Sequence, residues 1–264
     1  MTPRARWHAP PHAAAWRLAG AVGFLALWQV VALLTPPFVV PSPAAVASEI
    51  VTIVSGGLFW PNFQRSLQTI AVGFAVAYGA GALLGVTMGA SGWWDGFLRG
   101  WLNSTLMMPG LVVVVVATMM LGLGPGTAVV AVSLTAAPYA AITIAEGVRA
   151  APTDLLDMAR AFRVPAGRIA RDVLLPATAP FLLTAARFVF SLCWQTTTLA
   201  EVIGGTRGVG FMMKRAFQMF DMTGFVAWCV TFFLFTIVVE RVVIQRMIAR
   251  TRAWRPVAVP VVGR

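Results

Sequence analysis

SLQTIAVGFAVAYGAGALLGVTMGA, residues 66–90, runs for 25 residues without a charged side chain. About 20 apolar residues in a helix cross the ~30 Å hydrocarbon core of a bilayer, so this run is long enough to span one. It is also rich in glycine, with Gly73, Gly79, Gly81, Gly85 and Gly89 along it, and Gly81, Gly85 and Gly89 form a ladder at intervals of four. Small residues at that spacing let two helix backbones approach closely, which matters where lipid supplies no hydrophobic drive for association. The ladder fits packing within the chain and packing against a second subunit equally well.

Working outward, five more runs of span length appear: 17–35, 102–121, 127–146, 177–200 and 223–245. The chain of 264 residues is 59% hydrophobic and 11% charged, with mean hydropathy +0.81. A soluble domain is nearer half apolar and about a quarter charged. The expected fold is therefore all-α, a polytopic membrane bundle of about six transmembrane helices. It is read as one transmembrane domain over 17–250 between a cytoplasmic N-terminal tail, 1–16, and a cytoplasmic C-terminal tail, 251–264. The leader MTPRARWHAPPHAAAWR has the basic residues of a signal peptide. The run after it is span-length and no A-x-A-like cleavage site follows, so 17–35 reads as a retained first span. Pro109 and Pro138 interrupt the third and fourth spans, where proline bends a helix and frees a carbonyl. The second and third spans are expected to be joined by a short loop, SGWWDGFLRGW, with Trp93, Trp94 and Trp101 at headgroup level. GLGPG, 122–126, is expected to be a tight turn.

The net charge is +11, and 19 of the 20 basic residues are arginine. They sit in loops and tails of an oily chain, which reads as membrane topology and not as nucleic-acid binding. With the N-terminus inside, the inner segments hold 15 basic residues and the outer ones 4, Arg187 lying within the fifth span. That asymmetry selects an N-in, C-in arrangement. Cys193 and Cys229 lie in apolar runs and read as packing residues. Neither a metal site nor a cofactor on this chain is expected.

The most polar inner loop, 147–176, is an elbow containing DMARAFRVPAGRIARDVLLP at 157–176. It reads as two short helices. Thr153 is a candidate N-cap with Asp154 in the first turn, where the helix dipole favours an anion. Leu155, Ala159 and Phe162 form one apolar stripe, and Pro165 suits the start of the second helix. Such an amphipathic helix either lies in the lipid interface or docks in the groove of a soluble partner.

DMARAFRVPAGRIARDVLLPATAP resembles the EAA loop of the permease subunits of ABC importers. Asp157, Met158 and Ala159 stand at the Glu-Ala-Ala positions, Arg163 stands where the family has glycine, and Val173-Leu174-Leu175-Pro176 matches the ending. Glycine there permits a turn that arginine resists, unless Pro165 shapes the turn instead. Further pieces agree in order: VVPSPAAV at 39–46, an outer-loop element; the 66–90 run; MMPGLVVVVVATMMLGLGPG; and AARFVFSLCWQTTTLAEVIGGTRGVGFMM. These are similar to the binding-protein-dependent branch that handles sulfonates, taurine and nitrate.

The resemblance implies a permease subunit in a bacterial inner membrane that does no chemistry itself. ATP and Mg would act on two copies of a separate ATPase. A second permease copy, in a homodimer, would complete the pathway, and a periplasmic or lipid-anchored binding protein would deliver a small anionic solute. Asp157, Met158, Ala159, Arg160, Phe162 and Arg163 would form the ATPase-coupling elbow, with Asp157, Ala159, Arg160 and Phe162 as its contact core. Arg187, Gln195 and Thr196 are candidates for the translocation route. Arg187 would either attract an anion or pair with carbonyls freed by Pro109 or Pro138, since a charge at that depth needs a partner. Glu201, Arg207, Gly208 and Gly210 are candidates for an outer gate or binding-protein dock. Glu201 would either close against Arg207 or Lys214 or remain a solvated acid. GGTRGVG, 204–210, lacks the Lys and Ser/Thr of a phosphate-binding loop. A self-sufficient secondary transporter is the alternative, but an internal repeat and several intramembrane charges would then be expected. A membrane enzyme would need a nucleophile–base pair, whereas both histidines, His8 and His12, lie in the N-terminal tail.

Overall fold

The computed structural model describes residues 13–252, with side chains placed for 15, 16 and 18–242. His8, His12 and the arginines of the two extreme tails lie outside the described residues. The chain there is helical throughout: α1 (Ala13–Leu34), α2 (Pro43–Ser55), α3 (Phe59–Ala90), α4 (Gly92–Met107), α5 (Gly110–Leu121), α6 (Pro125–Arg149), α7 (Thr153–Ala161), α8 (Ala166–Ile169), α9 (Leu175–Gly204), α10 (Val209–Gln218) and α11 (Met222–Arg252). A π-type turn, Ala170–Leu174, joins α8 to α9 without a break, so 166–204 is one rod.

Among the described residues four helices are long and apolar enough to cross a membrane: α3, α6, the rod ending in α9, and α11. The pair α4 and α5 counts as a fifth if its two halves form one broken span. The remaining expected crossing, 17–35, coincides with α1, whose apolar part Leu18–Leu34 is shorter than these.

The centre of the bundle is α3 against α6 and α6 against α9. The glycine ladder makes the first of these contacts. An added Cβ at Gly81 would come within 2.5 Å of Ala140 Cβ and 2.7 Å of the Ala137 carbonyl. At Gly85 it would meet the Ala141 carbonyl and Ile144, and at Gly89 Val148 and the Ala145 carbonyl. Of the two uses left open by the sequence, the ladder serves packing within the chain. Tyr78 of α3 donates to the Leu182 carbonyl of α9 at 3.1 Å, and a cluster of Phe59, Phe63, Trp228 and Phe235 fastens α11 to α3. α2 adds Val46 and Ile53 to the same core.

Three expectations are corrected. The third span is not one kinked helix: α4 ends at Met107, α5 begins at Gly110, and their axes differ by 98°. The residue before a proline is pushed out of helical conformation; Met108 is extended (φ −72°, ψ 128°), so Pro109 ends a helix instead of bending one. SGWWDGFLRGW is not a short loop but the first part of α4, with Trp93, Trp94 and Trp101 exposed on it. VVPSPAAV leads into a helix, since Ser42 accepts the Ala45 N–H and Pro43 takes the first helical position, where its missing donor costs nothing. GLGPG does form the tight turn, with Gly122 and Gly124 at φ 79° and 153°.

Candidate functional site

At the end of the bundle where α3 and α6 finish, Asp95 of α4 gathers two arginines. Arg99 Nε donates to both of its oxygens at 3.0 Å, and Arg149, the last residue of α6, reaches Oδ1 at 2.8 Å. Arg149 also donates to the Met88 carbonyl at 3.0 Å. This clasp ties α3, α4 and α6 together immediately before the elbow. The sequence held no signal for the Arg149 arm, because Asp95 and Arg149 lie in different helices.

The elbow follows as α7. Thr153 is its first helical residue and Pro152 its cap, with no side chain capping the end, so the N-cap expected at Thr153 is not formed. The apolar stripe is also rotated from the expected one. Ala159 is only 8% exposed and turns inward, whereas Leu155, Met158 and Phe162, at i, i+3 and i+7, face outward, Phe162 at 78%. Ala159 therefore faces its own chain, and the outward face of the helix is carried by its neighbours in the stripe. Asp157 and Arg160 pair at 3.2 Å beside that apolar face; an exposed pair three apart contributes at most about 1 kcal/mol. α7 packs little against the bundle, although nine residues are too few for a helix stable by itself.

Arg163 occupies the glycine position of the loop and adopts the glycine conformation, φ 52°. The Val164 N–H donates to the Ala159 carbonyl and the Arg163 N–H to the Arg160 carbonyl, both at 2.9 Å, which closes α7 with the paired bonds of a left-handed C-terminal cap. The left-handed conformation costs a non-glycine residue roughly 1–2 kcal/mol, part of which glycine would lose to its greater unfolded freedom. Arg163→Gly should therefore tighten the elbow by about 0.5–1 kcal/mol, read as a two- to fivefold slower hydrogen exchange of the Val164 amide. Unchanged or faster exchange would mean that the arginine is held there at no cost.

Along α9 the exposed residues Thr184, Arg187, Ser191 and Gln195 recur every three or four positions and form one polar stripe on a membrane-length helix. Arg187 is not bonded to carbonyls freed by Pro109 or Pro138. Its partner is Glu240 of α11, at 3.6 Å, and both remain open, 59% and 45% exposed. Each lies ~26 Å from the opposite end of its helix, at 1.5 Å per residue, so the two meet at one depth in antiparallel neighbours. Thr196 is buried in the core and is not on the stripe.

At that opposite end, Glu201 is 4% exposed. It is not a solvated acid, and it does not close on Arg207 or Lys214. The Ser66 hydroxyl of α3 donates to its Oε2 at 2.8 Å, and the Gly210 N–H donates to the same oxygen at 2.9 Å. The Ser66 oxygen accepts the Val209 N–H at 2.9 Å and Asn62 Oδ1 accepts the Gly208 N–H at 3.0 Å. Three otherwise unpaired donors at the start of α10 are thus satisfied by side chains from α3 and α9, and a carboxylate sits at the positive end of the helix dipole. Gly208 has φ 118°, and a Cβ on it would collide with the Glu201 carboxylate. The glycines of GGTRGVG thus let the loop close over Glu201. Lys214 reaches the Ile203 carbonyl at 3.2 Å, while Arg207 is exposed on the wall of a cavity of about 800 Å³.

These features define a class: an all-helical membrane protein with a polar stripe along one core helix, a cavity at one end and an outward-facing amphipathic elbow at the other. Residues 77–253 match the family described as binding-protein-dependent transport system inner membrane component, and the chain belongs to that family. It is similar to the bicarbonate transport system permease protein CmpB of Synechococcus elongatus, 28% identical over 214 residues that cover 76% of each chain. It is also similar to the putative aliphatic sulfonates transport permease protein SsuC of Bacillus subtilis, 26% identical over 74% of this chain and 71% of that one. The fold matches a chain of the inward-facing MetNI methionine ABC transporter with TM-score 0.58 at 21% identity, over 75% of this chain and 94% of that one.

Proposed function

We propose that this chain is the permease subunit of an ATP-driven importer that carries a small anionic solute inward along the α9 stripe. The stripe carries the reading. An arginine and three uncharged polar side chains on one face of a membrane helix, with the arginine's partner Glu240 on the neighbouring α11, are costly against lipid, so that face belongs against a water-filled route or a second subunit. In a homodimer with its twofold axis along this face, the stripe lines the route between the two copies. The arginine asymmetry favours the elbow end as cytoplasmic and the α10 end as outer. Anionic cargo in the relatives named for bicarbonate and sulfonates, together with Arg187 on the stripe, supports an anion as solute.

The other parts follow from that arrangement. α7 offers Leu155, Met158 and Phe162, flanked by Asp157 and Arg160, to a separate ATPase that binds ATP and Mg. The Ser66–Glu201–Gly210 latch holds the outer gate, and a periplasmic or lipid-anchored binding protein docks over α10. The setting is a bacterial inner membrane, and the chain itself performs no catalysis.

The test is uptake of radiolabelled bicarbonate or an alkanesulfonate into proteoliposomes holding the permease, its cognate ATPase and the binding protein. Uptake should require ATP. Arg187→Gln should cut it about tenfold or more, the rate equivalent of one lost charge-assisted contact of about 1.4 kcal/mol, while Phe188→Leu on the adjoining exposed surface leaves it within twofold. Exchanging the pair, Arg187→Glu with Glu240→Arg, should not restore it. Full uptake in Arg187→Gln, or rescue by the exchange, would reduce the pair to a structural tie.

A further inference from the structure

The cavity at the α10 end has a volume of about 800 Å³, and its walls carry an unbalanced charge. Arg65 of α3, Arg207 of the loop before α10 and Arg215 of α10 all line it. Among the described residues none of the three makes an ion pair within 4.0 Å. The one acid lining it, Glu201, turns one oxygen to Ser66 and Gly210, and its charge offsets at most one of the three cations. Gln64 and Gln68 add amides on the same wall that make no side-chain hydrogen bond among the described residues. Three cations and two idle amides therefore face a space many times the ~30 Å³ share of one water. Like charges gathered around a cleft with low-dielectric walls raise the local concentration of the opposite charge, and a guanidinium fork matches two oxygens of an oxyanion.

We infer that this cavity is an oxyanion-receiving site, separate from Arg187, that takes a sulfonate or carbonate-type solute before it enters the α9 route. The inference rests on the importer reading for its direction, but binding itself needs neither ATPase nor binding protein. Arg187 lies ~21 Å further along α9 than Glu201 at 1.5 Å per residue, so the two sites are distinguishable by mutation. In sequence the three arginines are dispersed, and only the fold brings them to one cavity.

The test is saturation-transfer NMR with ethanesulfonate on the full-length permease in a maltoside detergent, with dimethyl sulfone as neutral and tetramethylammonium as cationic control. Ethanesulfonate should give a signal that bicarbonate competes away, and the two controls should give none. Arg65→Gln/Arg207→Gln/Arg215→Gln should weaken binding at least tenfold without lowering Tm, since none of these side chains is tied into the core, whereas Arg187→Gln should leave most of the signal. The signal should persist in phosphatidylglycerol nanodiscs. Equal signal from dimethyl sulfone, retention in the triple variant, or loss in Arg187→Gln alone would each overturn the site. Disappearance in the nanodiscs would assign the arginines to lipid phosphate and overturn it as well. If the triple variant binds ethanesulfonate normally but no longer responds to the binding protein, the surface is a protein dock instead. Absence of ATP-driven uptake with intact binding would strike the importer reading alone.

Discussion

Gly81→Leu is expected to leave the protein unable to hold α3 against α6. The position faces the Ala140 side chain and the Ala137 carbonyl with no room even for a Cβ, and two of the groups a leucine would meet, the Ala137 carbonyl and the Ala141 backbone N, belong to a helix backbone that cannot rotate away. Overpacking typically costs about 1–3 kcal/mol where side chains can yield; here the cost should be about 3 kcal/mol or more, a fall in Tm of about 6–12 °C for a chain of this size. Gly79, two residues earlier, has nothing within 4 Å of an added Cβ, so Gly79→Leu supplies the control and should melt within a degree or two of the parent. Thermal unfolding and size exclusion in detergent read both. A Gly81→Leu protein that elutes and melts like Gly79→Leu would show that the bundle does not depend on this close approach.

Phe162→Asp and Asp157→Arg should each abolish ATP-driven uptake while leaving insertion and Tm unchanged. Phe162 is among the most exposed apolar side chains described, and it lies on a helix that packs little against its own chain. Removing a buried aromatic anchor from an interface commonly costs about 2–4 kcal/mol, so ATPase affinity should drop by about 30- to 1000-fold. Asp157→Arg acts differently. It breaks a surface ion pair of little intrinsic value but reverses the charge presented beside the same apolar face. Pull-down of the ATPase by tagged permease, with uptake in the same vesicles, measures both. Normal uptake by either variant would remove α7 from the coupling role. Ala159→Ser, at the inward-facing position, separates support of the helix from contact with the partner, because it should alter the elbow's stability more than ATPase affinity.

The helices that carry the bundle were legible because each is a long apolar run: 66–90, 127–146 and 177–200 lie within α3, α6 and α9. What failed was local. Met108-Pro109-Gly110 suits both the bend that a proline makes inside a helix and a full stop, and the residues alone do not choose between them. α4 was missed because its tryptophans and charges look like a loop until Leu98 and Leu102 are seen packing on Met88 and Ala145. The elbow was found from its charge and its proline, but the rotation of α7 depended on which face the bundle covers. Partners distant in sequence were beyond reach: Glu240 for Arg187, Ser66 for Glu201, Arg149 for Asp95. For Glu201 a weak hint existed, since glycines at 204, 205, 208 and 210 beside an acid suit a backbone closing over a side chain.

The rod from Ala166 to Gly204 links the two ends of the molecule without a loop between them. It is ~58 Å long at 1.5 Å per residue, with its root in the elbow and its tip gripping the first turn of α10 through Glu201. Over that span a tilt of about 5° at the root swings the tip by about 5 Å. The wider-wound segment at 170–174 is the natural place for such a tilt to pivot. In the proposed importer the rod would serve as a crank, its handle on one surface and its hook on the other, so that a nudge of a few degrees on the first surface would supply enough stroke to unseat a closure on the second.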